Sequence, residues 1–192
     1  MIITFGGSFN PPTVGHEEIA RKMIEVYECE QLQFIPVGDH YEKKGLINSN
    51  HRVEMLELVC RGLDKASVNL VEVNQQRALT TYETLRIIES EYPGQEIRFV
   101  MGADNLEQLP KWENGMKLIE NFKVIVLNRM YINVEKIIER CFSHLKEQFY
   151  ILNVDGIQSV SSTQYRNYLE NNHIVNPMID QYCREQQLYG RK

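Results

Sequence analysis

Short apolar runs recur along the chain at Ile2–Phe5, Leu32–Val37, Val68–Val73, Ile97–Met101, Phe122–Leu127 and Phe149–Val154. Each is rich in β-branched or aromatic residues and only strand-length, which predicts six buried strands. Between several of them the period turns helical. Ile19, Ala20, Met23, Ile24 and Tyr27 form one stripe; His51–Arg61 carries Val53, Leu56 and Val59 or Cys60; Tyr82–Glu91 carries Leu85 and Ile88. Val134–Leu145, Ser162–Glu170 and Met178–Gln187 have helical spacing as well. Strands alternating with helices predict an α/β fold: an open, mostly parallel sheet with right-handed crossovers and helices on both faces. Gly38–Asn50 is polar and nearly aperiodic, and carries Lys43-Lys44. It reads as a surface connection or a substrate loop.

Length and composition narrow the picture modestly. At 192 residues, one compact domain over 1–192 is expected, with Met178–Lys192 as a helical tail. The net charge of −5 argues against a broad nucleic-acid surface, which needs a basic face. Cys29, Cys60, Cys141 and Cys183 are too dispersed for a zinc knuckle and are expected as free, buried or half-buried thiols. No metal-ligand cluster is evident. Neither a secretory leader nor a membrane-length apolar segment is visible, so a cytoplasmic protein without membrane partners is expected. The sequence is compatible with a homo-oligomer.

The chemistry concentrates in the first strand–loop–helix unit. Gly6 and Gly7 end the apolar run, Pro11-Pro12 oppose early helix formation, and Thr13 stands where a helix cap is expected. Such a loop brings backbone N–H groups close to an anion, and phosphate is the common occupant. His16 lies three residues past the cap and shares the Ala20–Met23–Tyr27 stripe, so it should face the sheet near the ligand-binding edge. Glu17 and Glu18 suit the positive helix end and should project away. Taken singly, a glycine pair is an ordinary turn and a histidine on an apolar face an ordinary core residue. The dinucleotide pattern Gly-x-Gly-x-x-Gly is absent, which weakens a bound-NAD oxidoreductase.

Gly6-Gly7-Ser8-Phe9-Asn10-Pro11-Pro12-Thr13-Val14-Gly15-His16 resembles the first motif of the nucleotidyltransferases that share a Rossmann-like fold with class I aminoacyl-tRNA synthetases. Val160-Ser161-Ser162-Thr163-Gln164-Tyr165-Arg166 resembles their second, Ile-Ser-x-Thr-x-x-Arg. His51–Leu56 and Gly102–Trp112 are similar to segments of the bacterial nicotinate-nucleotide adenylyltransferases, and the likeness runs from Met1 to about Leu188. It implies a Rossmann-like sheet and transfer of an adenylyl group from ATP, with Mg²⁺, to nicotinate mononucleotide.

The resemblance also implies roles. His16 and Arg166 are the catalytic candidates. Gly6, Gly7, Ser8, Phe9, Thr13, His16, Gly102, Asp104, Ser161, Ser162, Thr163 and Arg166 would hold ATP; Lys44, Arg52, Thr81 and Trp112 would hold the acceptor. Ser161 with Gln164 has capping-box spacing. Lys43 and Lys44 are weaker candidates for pyrophosphate, and His51 for the mononucleotide phosphate. Two stretches depart from the family. Thr13 replaces a common histidine, and Leu79-Thr80-Thr81 stands where Ser-Tyr-Thr is usual. Nicotinamide mononucleotide, phosphopantetheine or another phosphate therefore stay open as acceptors, beside a regulatory nucleotide-binding module without catalysis.

Overall fold

The computed structural model describes residues 1–128, 132–157, 160–167 and 173–191. Six parallel strands form one sheet in the order β3-β2-β1-β4-β5-β6. They are β1 Ile2–Gly7, β2 Gln31–Pro36, β3 Ala66–Val68, β4 Ile97–Gly102, β5 Lys123–Asn128 and β6 Phe149–Asn153. Alternation along β1 explains why helices cover both faces. Ile3 and Phe5 join a core with Ile19 and Met23 of α1 (Val14–Tyr27), Met55 and Leu56 of α2 (Ser49–Cys60) and Ile179 of α7 (Pro177–Glu185). Ile2 joins the opposite core. It packs with Leu85 and Ile88 of α3 (Thr81–Glu91), Leu118 of α4 (Gly115–Asn121) and Ile138 of α5 (Val134–Phe142).

The strand order is the doubly wound one, with its reversal between β1 and β4. There the sheet parts. Pairing of β1 with β2 runs on to Gly7 opposite Pro36, but pairing of β1 with β4 stops at Phe5 opposite Val100. The crevice this leaves at the carboxyl ends of the strands is where such sheets bind ligands.

Four elements differ from the sequence pattern. The run Val68–Val73 is strand only to Val68, because Asn69 starts a turn: its Oδ1 accepts the Val71 N–H at 2.9 Å. The Val134–Leu145 helix ends at Phe142 and tightens into a 3₁₀ segment, Ser143–Gln148. A further 3₁₀ segment, Ala103–Lys111, and α4 were not anticipated. The helix α6 is described over Ser162–Asn167; the remainder of the Ser162–Glu170 pattern lies outside the described residues. All four cysteines are free thiols, buried at Cys29 and Cys183 and half-buried at Cys60 and Cys141. No helix among the described residues is long and apolar enough to cross a membrane.

Candidate active site

Beyond Gly7 the chain turns through Phe9, whose φ of +43° folds its ring back over the strand end. A Cβ at residue 7 would lie 3.0 Å from that ring, which accounts for the glycine. Phe9 is buried and meets Phe5, Phe34 and His16 edge-on, with the His16 ring centroid 5.2 Å away. Thr13 caps α1, as its spacing predicts. The Nδ1 of His16 accepts the Thr13 backbone N–H at 3.0 Å and lies 2.8 Å from the Thr13 hydroxyl. A backbone N–H only donates, so Nδ1 is an acceptor and the neutral ring carries its proton on Nε2.

The second motif closes against the first. Ser161 and Gln164 form the expected capping box: Gln164 Oε1 accepts the Ser161 N–H at 2.7 Å, and Ser161 Oγ accepts the Gln164 N–H at 3.2 Å. Ser162 Oγ donates to Pro11 O at 2.7 Å, and Arg166 Nη1 donates to Asn10 O at 2.6 Å. Lys43 Nζ donates to Ser8 Oγ at 2.8 Å. Ser8, Thr13, His16, Lys43, Ser161, Ser162, Thr163 and Arg166 thus line one polar cavity, with no carboxylate among the described lining residues. Desolvation, then the charges of Arg166 and Arg52, push the Lys43 ammonium below the ordinary lysine value. A cluster of this kind favours a polyanion.

A second, more apolar cavity opens on the other side of the β1 end. Gly6, Gly7, Ile35, Leu79, Leu85, Phe99 and Trp112 line it, with Thr4, Tyr41, Glu72, Thr81 and Thr84 as polar members. Thr81 begins α3, whose start is fixed by a reciprocal box. Glu83 Oε2 accepts the Thr80 N–H at 2.8 Å, and Thr80 Oγ1 accepts the Glu83 N–H at 3.2 Å. Hydrogen bonds from Arg77 and from the Thr80 backbone hold the Glu83 carboxyl down to about 2.

The expected residues therefore divide. Gly6 and Gly7 line the apolar cavity rather than the polar one, and Phe9 forms the core behind both. Gly102 and Asp104 line neither. The Asp104 carboxylate folds back over residue 102, where a Cβ would collide with it, and accepts from Asn105 Nδ2 at 3.3 Å. Thr81 and Trp112 share the apolar cavity. Arg52 and Lys44 depart from the expected acceptor contacts. Arg52 is fully buried, donating to Ile47 O, to Ser8 O and to Asp39, so it ties the 38–50 segment to the first loop. Lys44 is exposed and lines neither cavity, whereas its neighbour Lys43 lines the polar one. His51 Nδ1 lies 2.8 Å from the Tyr182 hydroxyl, directed to α7. Glu72, Tyr41 and Asn10 were not anticipated. Asn10 is buried, with its amide donating to Gly45 O at 2.8 Å and its Oδ1 accepting the Tyr189 hydroxyl at 2.8 Å.

The profile of one family, described as cytidylyltransferase-like, matches residues 4–168, from β1 through the second motif. The chain belongs to the cytidylyltransferase-like family. Both cavities of this cytidylyltransferase-like chain are built from the matched span, while α7 and the residues after it lie beyond. A relative from Acholeplasma laidlawii, named probable nicotinate-nucleotide adenylyltransferase, is 38% identical over 130 residues, covering 67% of this chain and 68% of that protein. One of the same name from Listeria welshimeri is 30% identical over 191 residues, 97% and 96% of the two chains. The structure of Plasmodium falciparum nicotinic acid mononucleotide adenylyltransferase complexed with NaAD shares the fold, with a TM-score of 0.83 at 21% identity over 100% of this chain and 98% of that one.

Proposed function

We propose that this chain transfers the adenylyl group of ATP to nicotinate mononucleotide, giving deamido-NAD and pyrophosphate. The observation that carries the reading is the pair of cavities on either side of the β1 end. One presents hydroxyls, two cations and a helix start, as a triphosphate requires; the other presents an indole and an apolar floor, as a pyridine ring requires. The names of the bacterial relatives support the same substrates.

The chemistry asks little of a general base. An acceptor phosphate oxygen, already anionic, forms a bond to the α-phosphorus of ATP as the bond from that phosphorus to the bridging oxygen breaks. Pyrophosphate leaves with the electron pair. Alignment and stabilisation of spread charge supply the rate. In this reading His16 donates from Nε2 to a phosphate oxygen of the transferring group. Arg166 and Lys43 receive the departing pyrophosphate, the guanidinium as a fork and the ammonium as a point charge. Trp112 stacks on the pyridine, and Thr81 sits where the ring carboxylate is held. No three His, Cys, Asp or Glu among the described residues cluster as a metal cage. Mg²⁺ would enter with ATP as part of the substrate and neutralise phosphate charge.

The test is pyrophosphate release from ATP, Mg²⁺ and nicotinate mononucleotide. Turnover at enzymatic rates is expected; none above background overturns the proposal. Nicotinamide mononucleotide belongs in the same assay, because Leu79-Thr80-Thr81 and the carboxyl of Glu72 stand beside the ring site.

A further inference from the structure

Glu72 lies in the apolar run Val68–Val73, where an isolated carboxyl has no role in forming a strand. The turn begun by Asn69 brings it into the wall of the apolar cavity. Among the described residues its carboxyl is hydrogen-bonded by the buried hydroxyl of Thr84, 2.9 Å from Oε1. That hydroxyl has a single hydrogen and a second acceptor in reach, Thr80 O at 3.2 Å. With Glu72 ionised, Thr84 donates to it and the bond favours the charged form. With Glu72 protonated, the acid donates to Thr84 and Thr84 donates to Thr80 O, so the pair accommodates both states. Burial pushes the Glu72 carboxyl above the ordinary range, partly offset by the Thr84 bond and by Arg52. Arg52 of α2 is the charged side chain whose field reaches it, with donors committed to Ile47 O, Ser8 O and Asp39. Tyr41 is the other ionisable side chain lining the cavity. Thr84 and Thr81 line the same cavity one turn apart on α3, so a ring substituent held at Thr81 stands beside the Glu72 carboxyl.

We propose that Glu72 selects between a carboxylate and a carboxamide on the acceptor ring, meeting the acid as a protonated donor and the amide as an ionised acceptor. The inference rests on the acceptor reading above. Two carboxylates cannot share this site, so one proton must be bound when the ring carries an acid. A carboxamide instead offers its own N–H to the ionised side chain.

The measurement is the ratio of kcat/KM for nicotinate mononucleotide to that for nicotinamide mononucleotide across about pH 6 to about pH 9. Both acceptors carry the same phosphate, so its titration cancels in the ratio. The ratio should fall about tenfold for each unit that pH rises in the wild type, because the acid takes the protonated side chain and the amide the ionised one, and stay flat in Glu72→Gln. Glu72→Ala, which leaves no group to donate or accept, should be flat too, and either variant suffices if the other fails to fold. A flat wild-type ratio, or an unchanged slope in the variants, overturns the inference. If neither acceptor turns over, adenylyl transfer to a pyridine nucleotide is refuted on its own. Quenching of Trp112 fluorescence then reads the same ratio from Kd, and absent binding or a flat ratio of Kd values refutes the selector role as well.

Discussion

His16 is both a cap and a candidate catalyst. Its Nδ1 is committed to the backbone of Thr13, and its ring packs edge-on against Phe9, so orientation and tautomer are set before any nucleotide arrives. His16→Ala should therefore lower kcat by about 10²-fold with a small change in the KM for ATP, as for loss of a transition-state donor. Steady-state kinetics check this, and an unchanged kcat returns the residue to the core. The histidine, Ser161 and Arg166 were legible in the sequence because local spacing fixes their relation to a helix start. The surroundings of Arg52 and Lys44 were not legible, for the opposite reason. Which member of Lys43-Lys44 reaches the loop, and whether an arginine in a polar stretch is buried, depends on Asp39, Ser8 and Ile47, which only the fold brings near. Glu72 looked like one polar break in an apolar run.

At the scale of elements, long periodic segments were readable and short interrupted ones were not. The 3₁₀ segment Ala103–Lys111 buries Leu106 and Leu109 but holds Pro110, which in a sequence argues against a helix, and α4 begins only after Asn114 at φ +59°. Neither shows a sustained stripe. The third strand ended early because Asn69 offers the backbone a turn in place of the ladder. The most consequential short element is α6, which carries Ser162 and Arg166 onto the first loop and starts on the Ser161–Gln164 box. Ser161→Ala should cost about 1 kcal/mol of cap energy, a fall of about 2–4 °C in Tm for a chain of this size. Because the loss is local to that wall, the KM for ATP should rise more than that for the acceptor. Equal rises would place Ser161 outside the ATP site.

Across the whole molecule, one acid joins the region beyond the family span to the second motif. Asp180 of α7 receives the Tyr165 hydroxyl at 2.8 Å, Arg184 Nε at 2.8 Å and Arg191 Nη1 at 3.0 Å. Burial alone would raise its carboxyl, but the bonds from Arg184 and Tyr165 and the charge of Arg191 hold it below the ordinary value. A carboxyl depressed in the folded state stabilises above its unfolded pKa and loses that contribution as pH falls through the folded one. Asp180→Asn should thus unfold on the order of 2 kcal/mol more easily at neutral pH. Its deficit against the wild type should shrink as pH falls below the ordinary aspartate range and through the depressed value of the folded state. Denaturant melts at several pH values decide it; a pH-independent deficit would make the loss one of packing. Tyr189 adds a different link, since its hydroxyl meets Asn10 across 179 residues of sequence. A contact of that span forms only after most of the chain has been laid down. The loop around Asn10 is thus completed late, and a growing chain carries it without this contact until Tyr189 has followed.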